Sequence, residues 1–124
     1  MRNCHSRDIT QILALTDYTR RLSFVTMSLD CYIKILSAEG EVENTILTMG
    51  MAFNGSIMPN RQDFYLVAIM NEETEENFVC VYERQKRSRV IGPFDQQVLD
   101  LKMSALNNMM FIPGNNCSLE RHEV

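Results

Sequence analysis

Alternation of apolar and polar positions dominates the chain from residue 22 onward. Over Leu22 to Leu36 the residues Val25, Met27, Leu29, Cys31, Ile33 and Ile35 share one parity, while Ser28, Asp30 and Lys34 take the other, which predicts one long strand. Gly40 closes an Ala38-Glu39-Gly40-Glu41 turn, and alternation resumes from Val42 to Met51. Asn54-Gly55 is a dipeptide that favours tight hairpin turns, so a reversal is expected there. Phe64 to Met70 is a continuous apolar run, and Asn77 to Glu83 carries Phe78, Val79, Val81 and Tyr82; both predict strands. The acidic stretch Asn71 to Glu76 between them predicts a solvated hairpin loop.

Two segments break the period of two. Residues 6 to 21 place Ile9, Ile12, Leu13 and Tyr18 near one helical face, with Ser6 or Asp8 as the N-cap and Arg20 and Arg21 near the C-terminus, predicting a short amphipathic helix. Pro93 and Asp95 can open a second helical stretch with Phe94, Val98, Leu101 and Ala105 on one face, although a strand through residues 98 to 112 fits too. Met109 to Ile112 predicts a strand that stops at Pro113-Gly114. No internal repeat or low-complexity tract stands out. Strands in chain order with short connections predict a mainly β, antiparallel and strongly bent sheet.

The length of 124 residues predicts one domain with one core. A net charge of −4 argues against a freestanding nucleic-acid binder, whose phosphate contacts come from a basic face. Cys4, Cys31, Cys80 and Cys117 form no CxxC pair and no metal-ligand spacing, so they read as free thiols with no metal or other cofactor, in a reducing intracellular setting. No signal-peptide pattern and no apolar run long enough to span a bilayer is present, so a soluble nuclear or cytoplasmic protein without a membrane partner is expected. His5 and His122 lie near the chain ends, no phosphate-binding glycine loop or nucleophile motif occurs, and pairing Asp30 or Glu43 with a lone His gives no recognisable dyad. A non-enzymatic protein is therefore expected, with the nine methionines serving as core and interface filler.

Two segments, Gly40 to Met58 and Met110 to Glu120, carry a resemblance. Tyr32-Ile33-Lys34-Ile35-Leu36 before Gly40, then Thr45 to Met49 with Phe53-Asn54, resembles the first signature block of the Sm and Sm-like proteins. Ile112-Pro113-Gly114-Asn115-Asn116 resembles the second. The resemblance implies a small, strongly bent antiparallel Sm-like barrel preceded by an N-terminal helix, with residues 59 to 97 as a long insertion between the blocks. It implies an RNA site on Asn54, Gly114 and Asn116 beside Phe53, with Asn reading a base edge and Gly admitting the backbone.

Departures from the family pattern fall on that site. Ala52 stands at the stacking position, Pro113 at the arginine position and Gly50 at the acidic position that orients the Asn, so the base has lost both walls. A stacked base is worth roughly 1–3 kcal/mol. The basic run Arg84, Lys86, Arg87 and Arg89 is a second candidate contact, for RNA phosphates or an acidic partner, against its plainer reading as a solvated loop. The resemblance thus implies a non-catalytic Sm-like subunit of a hetero-oligomeric ribonucleoprotein complex, joined by strand edges to other Sm-like subunits and to single-stranded uridine-rich RNA. Two alternatives stand beside it. One is an Sm-fold auxiliary subunit of a larger protein complex without RNA contact, as in the NatC acetyltransferase or the Gemin pair of the SMN complex. The other is an unrelated α+β interaction module, cellular or viral.

Overall fold

The computed structural model describes residues 5–16, 21–59, 63–98, 100–104, 109–113 and 119–123. Among the described residues eleven strands follow one another: β1 (Ile9–Thr16), β2 (Leu22–Ser28), β3 (Tyr32–Ser37), β4 (Val42–Leu47), β5 (Met51–Ile57), β6 (Phe64–Met70), β7 (Asn77–Glu83), β8 (Lys86–Phe94), β9 (Lys102–Met103), β10 (Met109–Pro113) and β11 (Leu119–Glu123). They form three antiparallel sheets: a four-stranded β1-β2-β3-β4 meander, a four-stranded β5-β6-β7-β8 meander, and a three-stranded sheet in the order β11-β10-β9. The strand-dominated antiparallel fold is the one that the alternation predicts. The strands divide among three sheets, however, where a single bent barrel sheet was expected.

Parity sorts the first sheet. Leu13 and Leu15 of β1, Val25 and Met27 of β2, and Ile33 and Ile35 of β3 are buried on one face. They meet Ala52, Tyr65, Val67, Ile69, Cys80 and Tyr82 from the second sheet, with the Tyr65 and Tyr82 rings stacked at 5.5 Å between centroids. The opposite face of the second sheet presents Leu66, Ala68, Val79 and Val81, covered by Met58, Val98, Leu101 and Met110. Burial on both faces explains why β6 reads as an unbroken apolar run where β1 and β4 alternate. The first strands of successive sheets lie together: β5 touches β1, and β9 touches β5. Thr10 Oγ1 donates to the Ala52 carbonyl at 2.8 Å across the first of these seams.

Several expectations need correction. Residues 9–16 are a strand and not a helix. Ile9, Thr10, Ile12 and Thr16 are β-branched, and the pairing of Leu13 with Val25 and of Leu15 with Ser23 places both leucines in the core, so sheet pairing overrides the weak helical spacing. The predicted strand from Leu22 to Leu36 is a hairpin. Its register pairs Val25 with Ile35 and Met27 with Ile33, so odd positions stay on one face through the turn and alternation alone cannot reveal the reversal. Asn54-Gly55 is no turn: both residues sit within β5, beside a bulge between Ala52 and Asn54.

Among the described residues the second expected helix is absent as well. β8 runs through Gly92-Pro93 to Phe94, and the residues described after it reach β9 without helix. Val98 and Leu101 are buried, as that helical face required, but from irregular chain; Ala105 lies outside the described residues. The segment 59 to 97, expected as an insertion, supplies β6, β7 and β8, three of the four strands of the second sheet. The two consecutive four-stranded meanders are a repeat in structure that the sequence does not display.

Candidate functional site

The expected RNA residues are distributed by the strand pattern. Asn54 shares the register of Ala68, on the face of the second sheet that meets Val98 and Leu101. Its Nδ2 donates to the Val98 carbonyl at 2.8 Å, and its Oδ1 is buried without a hydrogen-bond partner. The side chain therefore fastens the irregular segment after β8 onto β5. Phe53 is the half-buried residue of the bulge beside it. Gly114 and Asn116 lie outside the described residues, and Pro113 ends β10. Gly50 is packed so tightly that a Cβ there would lie 2.1 Å from the Met70 carbonyl oxygen.

The basic run separates into individual roles. Arg84 occupies the β7–β8 turn at φ 52°, and its backbone N–H donates to the Asp63 carbonyl at 2.7 Å. Its guanidinium pairs with Asp63 at 2.9 Å, donates to Ser23 Oγ at 2.9 Å and reaches Glu43 at 3.7 Å, while its carbonyl accepts the Tyr65 hydroxyl. Asp63 adjoins the second sheet, and Ser23 and Glu43 belong to the first, so Arg84 ties the two sheets together at one end. Lys86, Arg87 and Arg89 are exposed on the edge strand β8. A bulge between the partners of Val81 and Tyr82 puts Arg87 opposite Tyr82 and Arg89 opposite Val81, residues of the two different cores. The three cations thus divide between the faces of the sheet and present no common groove to a phosphate backbone.

A constellation that sequence reasoning dismissed lies on the first sheet. Asp30 sits in the β2–β3 turn with Cys31 at φ 70°. The Asp30 carboxylate accepts from the Tyr32 N–H at 3.0 Å, the Ser6 N–H at 3.0 Å and His5 Nδ1 at 2.9 Å. His5 Nε2 lies 2.7 Å from Thr26 Oγ1. The His5 and Asp30 side chains are only 1% and 5% exposed. Burial works to raise the Asp30 pKa, and the hydrogen bonds from Ser6, His5 and Tyr32 outweigh it, so the carboxyl is held below its ordinary value.

The order carboxylate, imidazole, hydroxyl matches that of a nucleophilic triad. Access decides against that chemistry, because Thr26 is 1% exposed in the middle of a strand and its hydroxyl has no room for a substrate carbonyl. Both ring nitrogens have a partner, Asp30 on Nδ1 and the Thr26 hydroxyl on Nε2, so the array is a satisfied polar brace. It pins the segment before β1 to the β2–β3 turn. The signal available in the sequence was weak: His5 and Asp30 are 25 residues apart, and only the strand pairing joins them.

Cys31 and Cys80 are free thiols, while Cys4 and Cys117 lie outside the described residues. Burial pushes the Cys80 thiol up to about 11. Burial, with Glu72 and Asp30 nearby, also raises Cys31 above the ordinary value despite Arg7. Neither has the lowered pKa of a reactive cysteine. Among the described residues no group of three or more His, Cys, Asp or Glu is placed to hold a metal ion, and no helix is long and apolar enough to cross a membrane.

The surface feature that remains is apolar. The face of the first sheet turned away from the second carries Ile12 at 53% exposure, Val42 at 47% and Leu47 at 69%, with Leu22 and Tyr32 also exposed. No family model matches the chain, and no curated protein matches its sequence.

Proposed function

We propose that this chain is a non-catalytic interaction scaffold of the β-propeller type, acting as part of a larger protein assembly without direct RNA contact. The scaffold reading is supported by successive four-stranded meanders that pack face on face with their first strands together, the principle on which propeller blades are built. The observation that carries the function is the outward face of the first sheet. Ile12, Leu22, Tyr32, Val42 and Leu47 are exposed on that face, around a middle where Thr26 and Leu36 are buried, and exposed apolar residues grouped on one face favour contact with another protein. The buried brace and the raised thiol pKa values offer no reacting group at the surface.

The ribonucleoprotein alternative draws less support from these residues. Asn54 directs its amide to Val98, Arg84 directs its guanidinium to Asp63, Ser23 and Glu43, and the cations of β8 are split between two faces. Purification under native conditions followed by intact-mass measurement tests the proposal: the chain is expected in a stoichiometric protein assembly. Recovery as a lone monomer overturns it. So does submicromolar binding of a short uridine-rich RNA that disappears on Asn54→Ala.

A further inference from the structure

We propose that β4, the outer strand of the first sheet, takes up an extended segment of a partner protein as an added strand, and that this segment is apolar and ends in lysine or arginine. This deepens the scaffold reading above and rests on it. Among the described residues β4 pairs with β3 on one side and with no strand on the other. The Thr48 N–H donates to the Cys31 carbonyl at 2.9 Å, and the same register runs on through Ile46 opposite Ile33 and Asn44 opposite Ile35. Hydrogen-bonded and non-hydrogen-bonded pairs alternate along an antiparallel ladder, so Asn44, Ile46 and Thr48 turn their backbone groups toward β3 while Thr45 and Leu47 turn theirs away. Both of these residues are exposed, Leu47 at 69%. An open row of donors and acceptors is a template for another strand.

The two four-stranded sheets treat their outer strands differently. β8, at the edge of the second sheet, carries Lys86, Arg87, Arg89 and Pro93 and has two register shifts, devices that keep a foreign strand off an edge. β4 has neither lysine nor proline. Its one charged residue, Glu43, lies at the register shift near the start of the strand and is engaged by Arg21 and Arg84, which leaves residues 44–47 regular and unguarded.

The chemistry of the occupant follows from the two faces of β4. Ile46 packs against the core between the sheets and is only half-buried, so a side chain opposite it would complete that core. Side chains opposite Thr45 and Leu47 fall on the outward face, next to the exposed Leu47 and Tyr32. Apolar residues therefore suit both parities, as they do in a strand covered on two sides. In the β3–β4 turn Glu39 and Glu41 are exposed and have no ion pair among the described residues, so unneutralised acid stands at the start of β4. A segment antiparallel to β4 meets that acid with its C-terminal end, where lysine or arginine is complementary.

The test is fluorescence anisotropy and backbone amide exchange of the full chain with the labelled peptide Thr-Val-Ile-Val-Thr-Lys-Arg. Binding with a Kd below about 1 mM is expected, and the Thr45 and Leu47 amides, fast to exchange in the free chain, are expected to become protected. Affinity is expected to fall at least about tenfold when the Val-Ile-Val amides of the peptide are N-methylated, when Glu-Glu replaces its Lys-Arg, and in Thr45→Pro, which removes an outward donor and no hydrogen bond to β3. Lys86→Glu on β8 is expected to bind as the wild type does. Should Thr45→Pro fold poorly, the N-methylated peptide decides with the wild-type chain. No binding, binding indifferent to N-methylation, or protection that appears on β8 overturns the proposal. A chain found in its protein assembly that fails to bind the peptide overturns the added strand and leaves the scaffold reading standing; a lone monomer that fails to bind it overturns both.

Discussion

Three donors converge on the Asp30 carboxylate, and their effect is largest where the carboxylate carries its charge. Replacing Asp30 with Asn is expected to destabilise the protein by about 1–3 kcal/mol at neutral pH, the usual cost of weakening a buried hydrogen-bonded charge. Because folded Asp30 is held below its ordinary 3.8, its contribution is complete above that value and is lost as pH falls through the lower folded one. Denaturant titrations at several pH values are expected to show wild type and Asp30→Asn converging in acid only. Arg84 makes the second residue-scale case. Arg84→Ala is expected to cost about 1.5–3 kcal/mol through its charged hydrogen bonds to Asp63 and Ser23. Single alanine substitutions of Lys86, Arg87 and Arg89, all exposed, are expected within about 0.5 kcal/mol of wild type in thermal unfolding. In the sequence these four cations look alike; only the φ 52° turn and the approach of the first sheet single out Arg84.

At the scale of elements, legibility followed burial. The β6 and β7 boundaries, Phe64–Met70 and Asn77–Glu83, were readable to the residue because both strands are buried on two faces and are separated by a loop that Asn71 closes with its own side chain. The Gly40 turn was readable for a similar local reason, its φ of 85°. The β2–β3 turn was not, because an aspartate and a residue in the left-handed region, Cys31, make it without glycine while parity continues. Asn54-Gly55 misled in the opposite sense. A Cβ at Gly55 would lie 2.7 Å from the Leu66 carbonyl oxygen, so this glycine serves the close approach of a neighbouring strand and not a turn. Gly50 is the sharper test. A methyl group there would meet backbone atoms of Met70 and Asn71 at 2.1 to 2.8 Å, so Gly50→Ala is expected to destabilise by about 3 kcal/mol or more, or to prevent folding, as followed by circular dichroism and urea titration.

For the whole molecule, what lay beyond the sequence was the grouping of strands. Alternation states that residues share a face, but it is silent on which sheet that face belongs to, and the β4–β5 link passes from one sheet to the next over only three residues, Thr48 to Gly50. The segment Gly40 to Met58, read in the sequence as similar to the first Sm block, spans that passage, so its two halves belong to different sheets. The central claim is that two four-stranded meanders are stacked so that the second sheet has two separate apolar faces. Methyl-to-methyl nuclear Overhauser contacts test it most directly. Val67 and Ile69 are expected to contact Leu13, Val25 and Ile33, while Leu66, Val79 and Val81 contact Val98 and Leu101 and none of the first-sheet set. Contacts from Leu66 or Val79 to Val25 or Ile33 would place all these strands around one common interior, and the stacked-sheet account would be wrong.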